Sequence, residues 1–299
     1  MRILVTGKDG QLGQSIENLV ANTDQASGFV FIGKEELDLS DRNSIVSYFD
    51  NNDKFDVIVN CAAYTAVDKA EEEQDLANQI NNLAVKQIAE IAFKQKTQLI
   101  HISTDYVFDG DSDHPYIETD ATNPINIYGE TKLAGEKSIQ ETMPFSAIII
   151  RTSWMYSEYG NNFVKTMLRL RKERDNIGVV SDQVGSPTYA SDLAKVIIKI
   201  INTSVYLYNS QPTEIYHYAN EGSCSWYEFA KKIFNLLDTA GKCKLYPIET
   251  LQSFRKAKRP KDTVMSKHKV RDVFGINIPN WESSLEFCLK NIQNFKQKD

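Results

Sequence analysis

Residues 2–13 decide the fold, and they read Arg2-Ile3-Leu4-Val5-Thr6-Gly7-Lys8-Asp9-Gly10-Gln11-Leu12-Gly13. An apolar run leads into a glycine-rich turn, and apolar residues then recur at helical spacing over residues 12–20. Strand, glycine-rich turn and helix in this order form the context of a dinucleotide-binding fingerprint. Gly7 would permit the tight turn, Gly10 a close approach to a pyrophosphate, and Gly13 close packing of helix on strand. The stretch predicts a dinucleotide site at the helix N-terminus. An ordinary turn between a strand and a helix is the alternative.

The same alternation of strand and helix continues along the first two thirds of the chain. The patterns predict strands at residues 29–32, 57–59, 99–102, 147–150 and 177–180, and helices at 40–51 (with Ser40 as the candidate N-cap), 74–95, 128–141, 161–174 and 191–201. Strands separated by helices in this way form right-handed crossovers and a parallel sheet. Their apolar runs lack polar alternation, which is typical of strands covered on both faces. We therefore predict an α/β fold with a doubly wound, Rossmann-like parallel sheet.

Beyond about residue 204 the elements become shorter and less regular. Strands are predicted at 215–218 and 244–247, and helices at 226–237 and 281–295. We expect residues 1–203 to form an NAD(P)-binding domain and residues 204–299 a smaller, mixed substrate-binding lobe. Residues 152–160 and 182–188 are expected to contribute to the substrate cleft.

A strongly basic run occupies residues 255–271, and its members are Arg255, Lys256, Lys258, Arg259, Lys261, Lys267, Lys269 and Arg271. Such a run is usually a solvated face. In a chain with a net charge of −6 it could instead receive the phosphates of a nucleotide substrate, for which arginine is well suited.

Composition excludes several classes of function. The 299 residues are 41% hydrophobic and 25% charged, as in ordinary globular proteins, and the acidic balance argues against nucleic-acid or anionic-membrane binding. The four cysteines and four histidines have no metal-ligand spacing, so we predict no metal. The N-terminus lacks the regions of a signal peptide, and no apolar run approaches the ~20 residues that span a bilayer. We therefore expect a cytoplasmic protein.

Ligands of a doubly wound sheet collect outside the carboxyl ends of its strands. Polar, acidic and aromatic side chains follow three of the predicted strands, in the segments 60–68, 103–110 and 151–154. The second strand is followed by Gly33-Lys34, with no acidic residue at its immediate tip. A cation there tolerates the 2′-phosphate of NADP, so Lys34 favours NADP. A solvated loop charge is the alternative interpretation.

Tyr128 and Lys132 open the predicted helix that follows the fourth strand. Residues four apart lie on the same helix face. A nearby cation lowers the pKa of a phenol from its usual value near ~10, so the pair can act as an acid/base unit. The spacing is common by chance, and the sequence context is what raises its significance.

Together these motifs resemble the extended short-chain dehydrogenase/reductase superfamily, and within it the dTDP-4-dehydrorhamnose reductase family. The matching stretches are residues 7–13, 60–71, 103–110 (Ser-Thr-Asp-Tyr-Val-Phe-Asp-Gly), 128–136 (Tyr-Gly-Glu-Thr-Lys-Leu-Ala-Gly-Glu), 151–154, 182–183 and 185–188. The resemblance is dense over residues 1–190 and thin beyond. Arg259-Pro260 continues as Lys261-Asp262-Thr263, which departs from the family pattern at the nucleotide end of the substrate.

The resemblance implies reduction of a C4 keto group on a nucleotide sugar, in dTDP-rhamnose synthesis for polysaccharides. Tyr128 would give the proton, Lys132 would lower its pKa and hold the nicotinamide ribose, and Thr104 would orient the carbonyl. The implied cofactor is NADPH, with NADH as the alternative, held by Gly7, Gly10, Gln11, Leu12, Gly13, Asp38, Leu39, Cys61, Ala62, Ala63, Tyr64, Tyr128 and Lys132. The implied substrate contacts are Thr65, Val67, Thr104, Asp105, Tyr106, Trp154 and Arg259.

Two other functions stay open at this point, and the oligomeric state is expected to be a monomer or a homodimer. A non-catalytic NADP-binding regulatory subunit would be free to lose the Tyr128/Lys132 pair, which is present. A sugar-nucleotide epimerase or dehydratase would recycle a tightly held NAD. Dehydratases carry Glu after the Asp of this motif, where the present chain has Tyr106.

Overall fold

The computed structural model describes residues 1–21, 23–203, 211–237, 243–250 and 256–296. The first half of the chain alternates strands and helices, which are β1 Ile3–Thr6, α1 Gln11–Val20, β2 Phe29–Ile32, α2 Arg42–Asp50, β3 Val57–Asn60, α3 Val67–Ala70, α4 Gln74–Asn78, α5 Ala84–Gln95, β4 Gln98–Thr104, α6 Ile127–Thr142 and β5 Ala147–Thr152. The second half contains β6 Met155–Tyr156, α7 Phe163–Glu173, β7 Asn176–Val180, β8 Val184–Gly185, β9 Thr188–Tyr189, α8 Ala190–Asn202, β10 Glu214–His217, β11 Cys224–Ser225, α9 Trp226–Asn235, β12 Lys244–Ile248, α10 His268–Phe274 and α11 Trp281–Lys296.

Within the described residues, six strands form a parallel sheet in the order β10-β5-β4-β3-β1-β2. Successive side chains of a strand point to opposite faces, so Ile3 and Val5 join one core and Leu4 the other. The first core packs under α1, α8 and α10, and the second under α2, α5 and α6. Both faces of the sheet are therefore covered, which confirms the predicted doubly wound fold.

A third core forms the smaller lobe. It is built from α7, β7, α9, β12 and α11, with Phe229, Trp281 and Leu285 deeply buried among them. β7 pairs in parallel with β12 in this lobe. The lobe contains both helices and strands, as expected.

Two strands were predicted in the wrong part of the structure. β7, predicted as the sixth strand of the main sheet, pairs with β12 in the lobe, whereas β10 from the predicted lobe extends the main sheet beside β5. The chain therefore crosses between the two parts more than once, and a single division between residues 203 and 204 does not follow the sheets.

Two local predictions also needed correction. Helix α2 is capped by Asp41, which accepts a hydrogen bond from the Asn43 backbone at 2.8 Å, because Ser40 donates its hydroxyl to Asp38 instead. The helix predicted over 74–95 is interrupted by a π-helical turn at Gln79–Leu83. Among the residues that the structure describes, we find no helix that combines the length and apolarity of a membrane span.

Candidate active site

The glycine-rich turn is built as the sequence predicts. Gly7 has φ +74°, in the region that favours glycine, and a Cβ there would lie 2.9 Å from the backbone nitrogen of Ala62. A Cβ at Gly13 would overlap the carbonyl of Gly7, so α1 can pack this closely on β1 only with glycine. Helix α1 begins after Gly10 with no side-chain cap and no acidic residue in its first turn. Its free N–H groups and positive dipole end fit the pyrophosphate of a dinucleotide.

A cavity of about 810 Å³ runs from this turn along the carboxyl ends of the strands. It is lined by nearly every residue named from the sequence, namely Gly7, Gly10, Gln11, Leu12, Gly13, Asp38, Leu39, Cys61, Ala62, Ala63, Thr65, Val67, Thr104, Asp105, Tyr106, Tyr128, Lys132 and Trp154. The fold therefore brings the expected cofactor, catalytic and sugar residues together.

Tyr64 and Arg259 do not line the cavity. The backbone N–H of Tyr64 donates to the Asn81 side chain at 2.9 Å, and its hydroxyl donates to Glu73 at 2.6 Å. Arg259 donates to Asp68 at 2.9 Å and lies over the ring of Tyr106. Arg255, the first residue of the basic run, lies outside the described residues.

Tyr128 lies at the first turn of α6, where Asn126 caps the helix by accepting from the Gly129 backbone at 2.8 Å. Burial raises the pKa of the Tyr128 phenol to about 12, a hydrogen bond with Thr104 lowers it, and the charge of Asp105 raises it. The pKa of the phenol is thus raised overall and not lowered as expected, because desolvation outweighs the hydrogen bond with Thr104. The phenol is fully protonated at neutral pH.

Lys132 is buried, with 2% of its surface exposed. Its amine donates to the carbonyl of Ile102 at 2.7 Å and lies 3.2 Å from Nε2 of His101. Burial lowers the pKa of the amine to about 8, while nearby Glu136 and Cys61 raise it. The amine is held in place by β4 and remains largely charged at neutral pH.

A single 3-10 turn at Asp105–Val107 follows β4, and its Asp105 and Tyr106 line the cavity. The Thr104 hydroxyl caps this turn by accepting from the Tyr106 backbone at 3.2 Å. Asp105 is 2% exposed, and its Oδ1 accepts from Thr104 at 3.1 Å, whereas its Oδ2 has no hydrogen-bond partner. Burial raises the pKa of Asp105 to about 6, and hydrogen bonds with Thr263 and Thr104 offset part of this rise. Such an acceptor suits a ligand hydroxyl.

Two tryptophans close the end of the cavity next to the lobe. Trp154 has φ +44°, an uncommon conformation for a large residue, and a Cβ at Gly185 would lie 2.7 Å from its ring. Its ring stacks on Trp226 with centroids 3.6 Å apart and an angle of 9°. Trp226 opens α9 in the lobe, and sequence reasoning did not identify it as a site residue.

Several other cavity residues were not identified from the sequence, and they are Thr6, Asp9, Leu37, Ile80, Ile102 and Asn161. Ser103, Thr152, Ser153, Met155 and Gly160 also line the cavity and lie in segments that the sequence placed at the strand ends or in the cleft. Those at strand ends could have been found from the strand prediction, since they adjoin the predicted segments. Ile80 and Asn161 carry no local signal, because they enter the cavity only through tertiary packing.

The cofactor-preference residues lie at the end of β2. Lys34 lines the cavity there with a mostly exposed side chain, and its amine lies 3.7 Å from Asp38. Lys8 forms an ion pair with Glu36. In the part of the chain that the structure describes, no group of three or more His, Cys, Asp or Glu side chains could hold a metal ion.

The doubly wound sheet, the uncapped glycine turn and the Tyr128/Lys132 pair in one cavity define an NAD(P)-dependent oxidoreductase of the short-chain dehydrogenase/reductase class. The family model described as the RmlD substrate binding domain matches residues 1–294. The chain is 39% identical to the dTDP-4-dehydrorhamnose reductase of Aggregatibacter actinomycetemcomitans, covering 99% of both chains. It therefore belongs to the dTDP-4-dehydrorhamnose reductase family.

Solved structures agree with this assignment. A dTDP-4-dehydrorhamnose reductase from Clostridium acetobutylicum superposes with a TM-score of 0.88 at 38% identity, covering 98% of this chain and 100% of the other. The enzyme of the same name from Bacillus anthracis, in complex with NADP, gives a TM-score of 0.88 at 40% identity, covering 97% of this chain and 99% of the other.

Proposed function

We propose that this chain reduces the C4 keto group of dTDP-4-dehydro-6-deoxy-L-mannose to give dTDP-L-rhamnose, with NADPH as the preferred reductant. The observation that carries the proposal is the placement of Tyr128, Thr104 and Lys132 in one cavity that opens onto the N-terminus of α1. The names of the relatives and the NADP complex of the Bacillus anthracis enzyme support it.

The cofactor supplies a hydride when bound, and the chain holds and orients it. The N-terminus of α1 and the turn at Gly7, Gly10 and Gly13 would receive the pyrophosphate. Lys34 would receive the 2′-phosphate, and the Lys132 amine would bind the nicotinamide ribose.

Tyr128 would donate the proton that the carbonyl oxygen takes up. Because burial raises the pKa of its phenol to about 12, the proton is present throughout the physiological range. Thr104 would orient the carbonyl, and the ammonium of Lys132, one helical turn away, would stabilise the phenolate that remains. Asp105 and Trp154 would bind the sugar. Arg259, which lies over the ring of the cavity residue Tyr106, would bind the nucleotide end.

The experiment measures NADPH and NADH consumption with the dTDP keto sugar. Tyr128→Phe removes the proton donor, so kcat should fall on the order of 10²–10⁴-fold. The Kd for NADPH should stay within about threefold, since the ring remains (less than about 0.7 kcal/mol). Tyr64→Phe is the matched control, because that hydroxyl contacts Glu73 outside the cavity.

A wild-type protein that binds NADPH and leaves the keto sugar unreduced would contradict the proposed activity. A Tyr128→Phe variant with normal kcat would instead contradict the assignment of the proton donor. Equal kcat/KM for NADPH and NADH would remove the preference assigned to Lys34.

A further inference from the structure

A buried chain of hydrogen bonds runs from Lys132 beneath the strand ends to the cofactor side of the cavity. The Lys132 amine lies 3.2 Å from His101 Nε2, and His101 Nδ1 lies 3.1 Å from the Asn60 side-chain amide. The Thr6 hydroxyl donates to the amide oxygen of Asn60 at 2.7 Å and accepts from the Ala62 backbone at 3.2 Å. The chain thus links β4, β3 and β1, and both Thr6 and Ala62 line the cavity.

The charge on Lys132 dictates where the proton of His101 lies. An ammonium has three donors and no acceptor, so His101 Nε2 must accept from it. The ring is fully buried and neutral, since burial and the Lys132 charge lower its pKa well below the usual value. A neutral ring with Nε2 as acceptor carries its proton on Nδ1, and that N–H needs the oxygen of the Asn60 amide. The structure places the Asn60 NH2 group at Nδ1 and the Asn60 oxygen at the Thr6 hydroxyl, but the two ends of an amide are nearly indistinguishable. A half-turn of the amide brings its oxygen to Nδ1–H and its NH2 group to Thr6, whose two lone pairs then accept from Asn60 and from the Ala62 backbone.

We propose that His101 is a positioning residue for the reduction, which holds the Lys132 ammonium in place by accepting its hydrogen bond. The inference rests on the proposed function for its catalytic consequence. A histidine in an apolar strand would ordinarily be a core residue. Here it is the link between the amine and the cofactor-facing end of β1.

The other charged and titratable groups that face Lys132 do not replace this contact. Glu136 lies on the same helix, and its carboxylate is held by Arg151 at 2.7 Å and by the hydroxyl of Ser103. Cys61 faces the amine from the end of β3, and burial raises the pKa of its thiol to about 12, so it stays neutral. His101 therefore supplies the acceptor on the β4 side together with the carbonyl of Ile102.

His101→Leu removes the acceptor, and His101→Gln restores one at the position of Nε2. Losing a hydrogen bond to a buried charge disfavours the charged form, so the pKa of Lys132 falls. Activity and NADPH binding that depend on the ammonium are lost as pH rises through this pKa. In His101→Leu that loss should begin about one pH unit lower than in the wild type, and in His101→Gln within about 0.3 of the wild-type value.

A second measurement uses the wild-type protein and does not depend on the folding of a variant. The 15N resonances of the His101 ring, assigned with His101→Gln, should report the Nδ1–H tautomer at pH 6 to 7. Finding the Nε2–H tautomer there would overturn the proposal, because Nε2 could then not accept from the ammonium. So would an unshifted pH dependence in folded His101→Leu.

The proposed reductase activity and the positioning role of His101 can be disproved independently. NADPH binding as a function of pH tests His101 even if the keto sugar is not reduced. A wild type that reduces the sugar, with a His101→Leu variant of identical pH dependence, would contradict the role of His101 alone.

Discussion

Asp105 is the residue at which function and stability oppose each other most directly. Its carboxyl group is buried at the cavity wall, and Oδ2 has no hydrogen-bond partner. Burial raises its pKa from 3.8 to about 6, so the folded protein binds this proton more tightly than the unfolded chain does. Above pH 6 the ionised group therefore destabilises the fold, and the penalty is relieved as pH falls between about 6 and 4.

Asp105→Asn should stabilise the protein at pH 8 while reducing turnover. A pKa raised by about two pH units corresponds to a penalty of about 3 kcal/mol, which the neutral amide avoids. The stability gain should shrink towards zero at about pH 4, where the wild-type carboxyl is neutral as well. Thermal or urea unfolding of both proteins at pH 8 and pH 4 measures the difference.

Asp109→Asn is the matched control, with the opposite sign. A hydrogen bond from Asn123, together with others, holds the pKa of Asp109 below its usual value. This contribution to stability is present at neutral pH and is lost as pH falls through the lowered pKa, so the substitution should destabilise the protein at pH 8. An Asp105→Asn variant that is less stable than the wild type at pH 8 would show that the buried carboxylate does not destabilise the fold.

Spacing in the sequence was enough to pair Tyr128 with Lys132, since helical geometry places them on one face. It could not give the direction of their pKa shifts, because burial by distant segments determines these. The role of His101 could not be predicted for the same reason. Its sequence position is that of a core residue, and only the structure shows Lys132 and Asn60 on either side of its ring.

At the scale of secondary-structure elements, apolar runs and glycine turns predicted the strand–helix alternation, and five strands of the main sheet were placed correctly. They could not assign partners to β7 and β10, because both strands are short and the partner of each depends on tertiary packing. The π-helical turn at Gln79–Leu83 was likewise not predicted from the sequence pattern. It places Asn81, whose amide also donates to the carbonyl of Tyr64 at 3.1 Å and thereby anchors the segment after β3.

The Trp154–Trp226 stack joins the end of β5 to α9, so it fixes one element of the lobe against the sheet. Trp226→Leu should raise the KM for the nucleotide sugar about tenfold, because Trp154 loses the ring that holds it against Gly185. The exciton couplet of the stacked indoles in far-ultraviolet circular dichroism should disappear. Loss of one aromatic pair should cost about 1 kcal/mol of stability.

Phe163→Leu is the control for this prediction, since Phe163 packs on Trp226 with ring centroids 4.6 Å apart and does not line the cavity. It should lower stability by a similar amount and leave KM within about twofold (less than about 0.5 kcal/mol). Equal KM values for the two variants would mean that the stack is only structural.

At the scale of the whole molecule, the segment 256–267 connects the two parts of the chain. Its residues return from the lobe to the first part, where the backbone of Ala257 donates to Asp68 at 3.2 Å and Asn126 donates to the carbonyl of Lys258 at 2.9 Å. Much of the basic run thus meets acids of other elements, including Lys256 with Glu72 and Lys269 with Glu214. Part of the basic run therefore forms contacts that connect the two parts of the chain.

Asp68 makes two of these contacts, because its carboxylate accepts from both the Ala257 backbone and the largely buried Arg259. Asp68→Asn should loosen the segment and raise the KM for the nucleotide sugar about five- to thirtyfold, the equivalent of about 1–2 kcal/mol, with kcat little changed. Lys256→Ala, in the same segment, breaks an exposed pair with Glu72 and should change KM less than about twofold. Steady-state kinetics at constant ionic strength measures the KM and kcat of both variants. A lower KM in Asp68→Asn would instead mean that Asp68 competes with the substrate phosphates for Arg259.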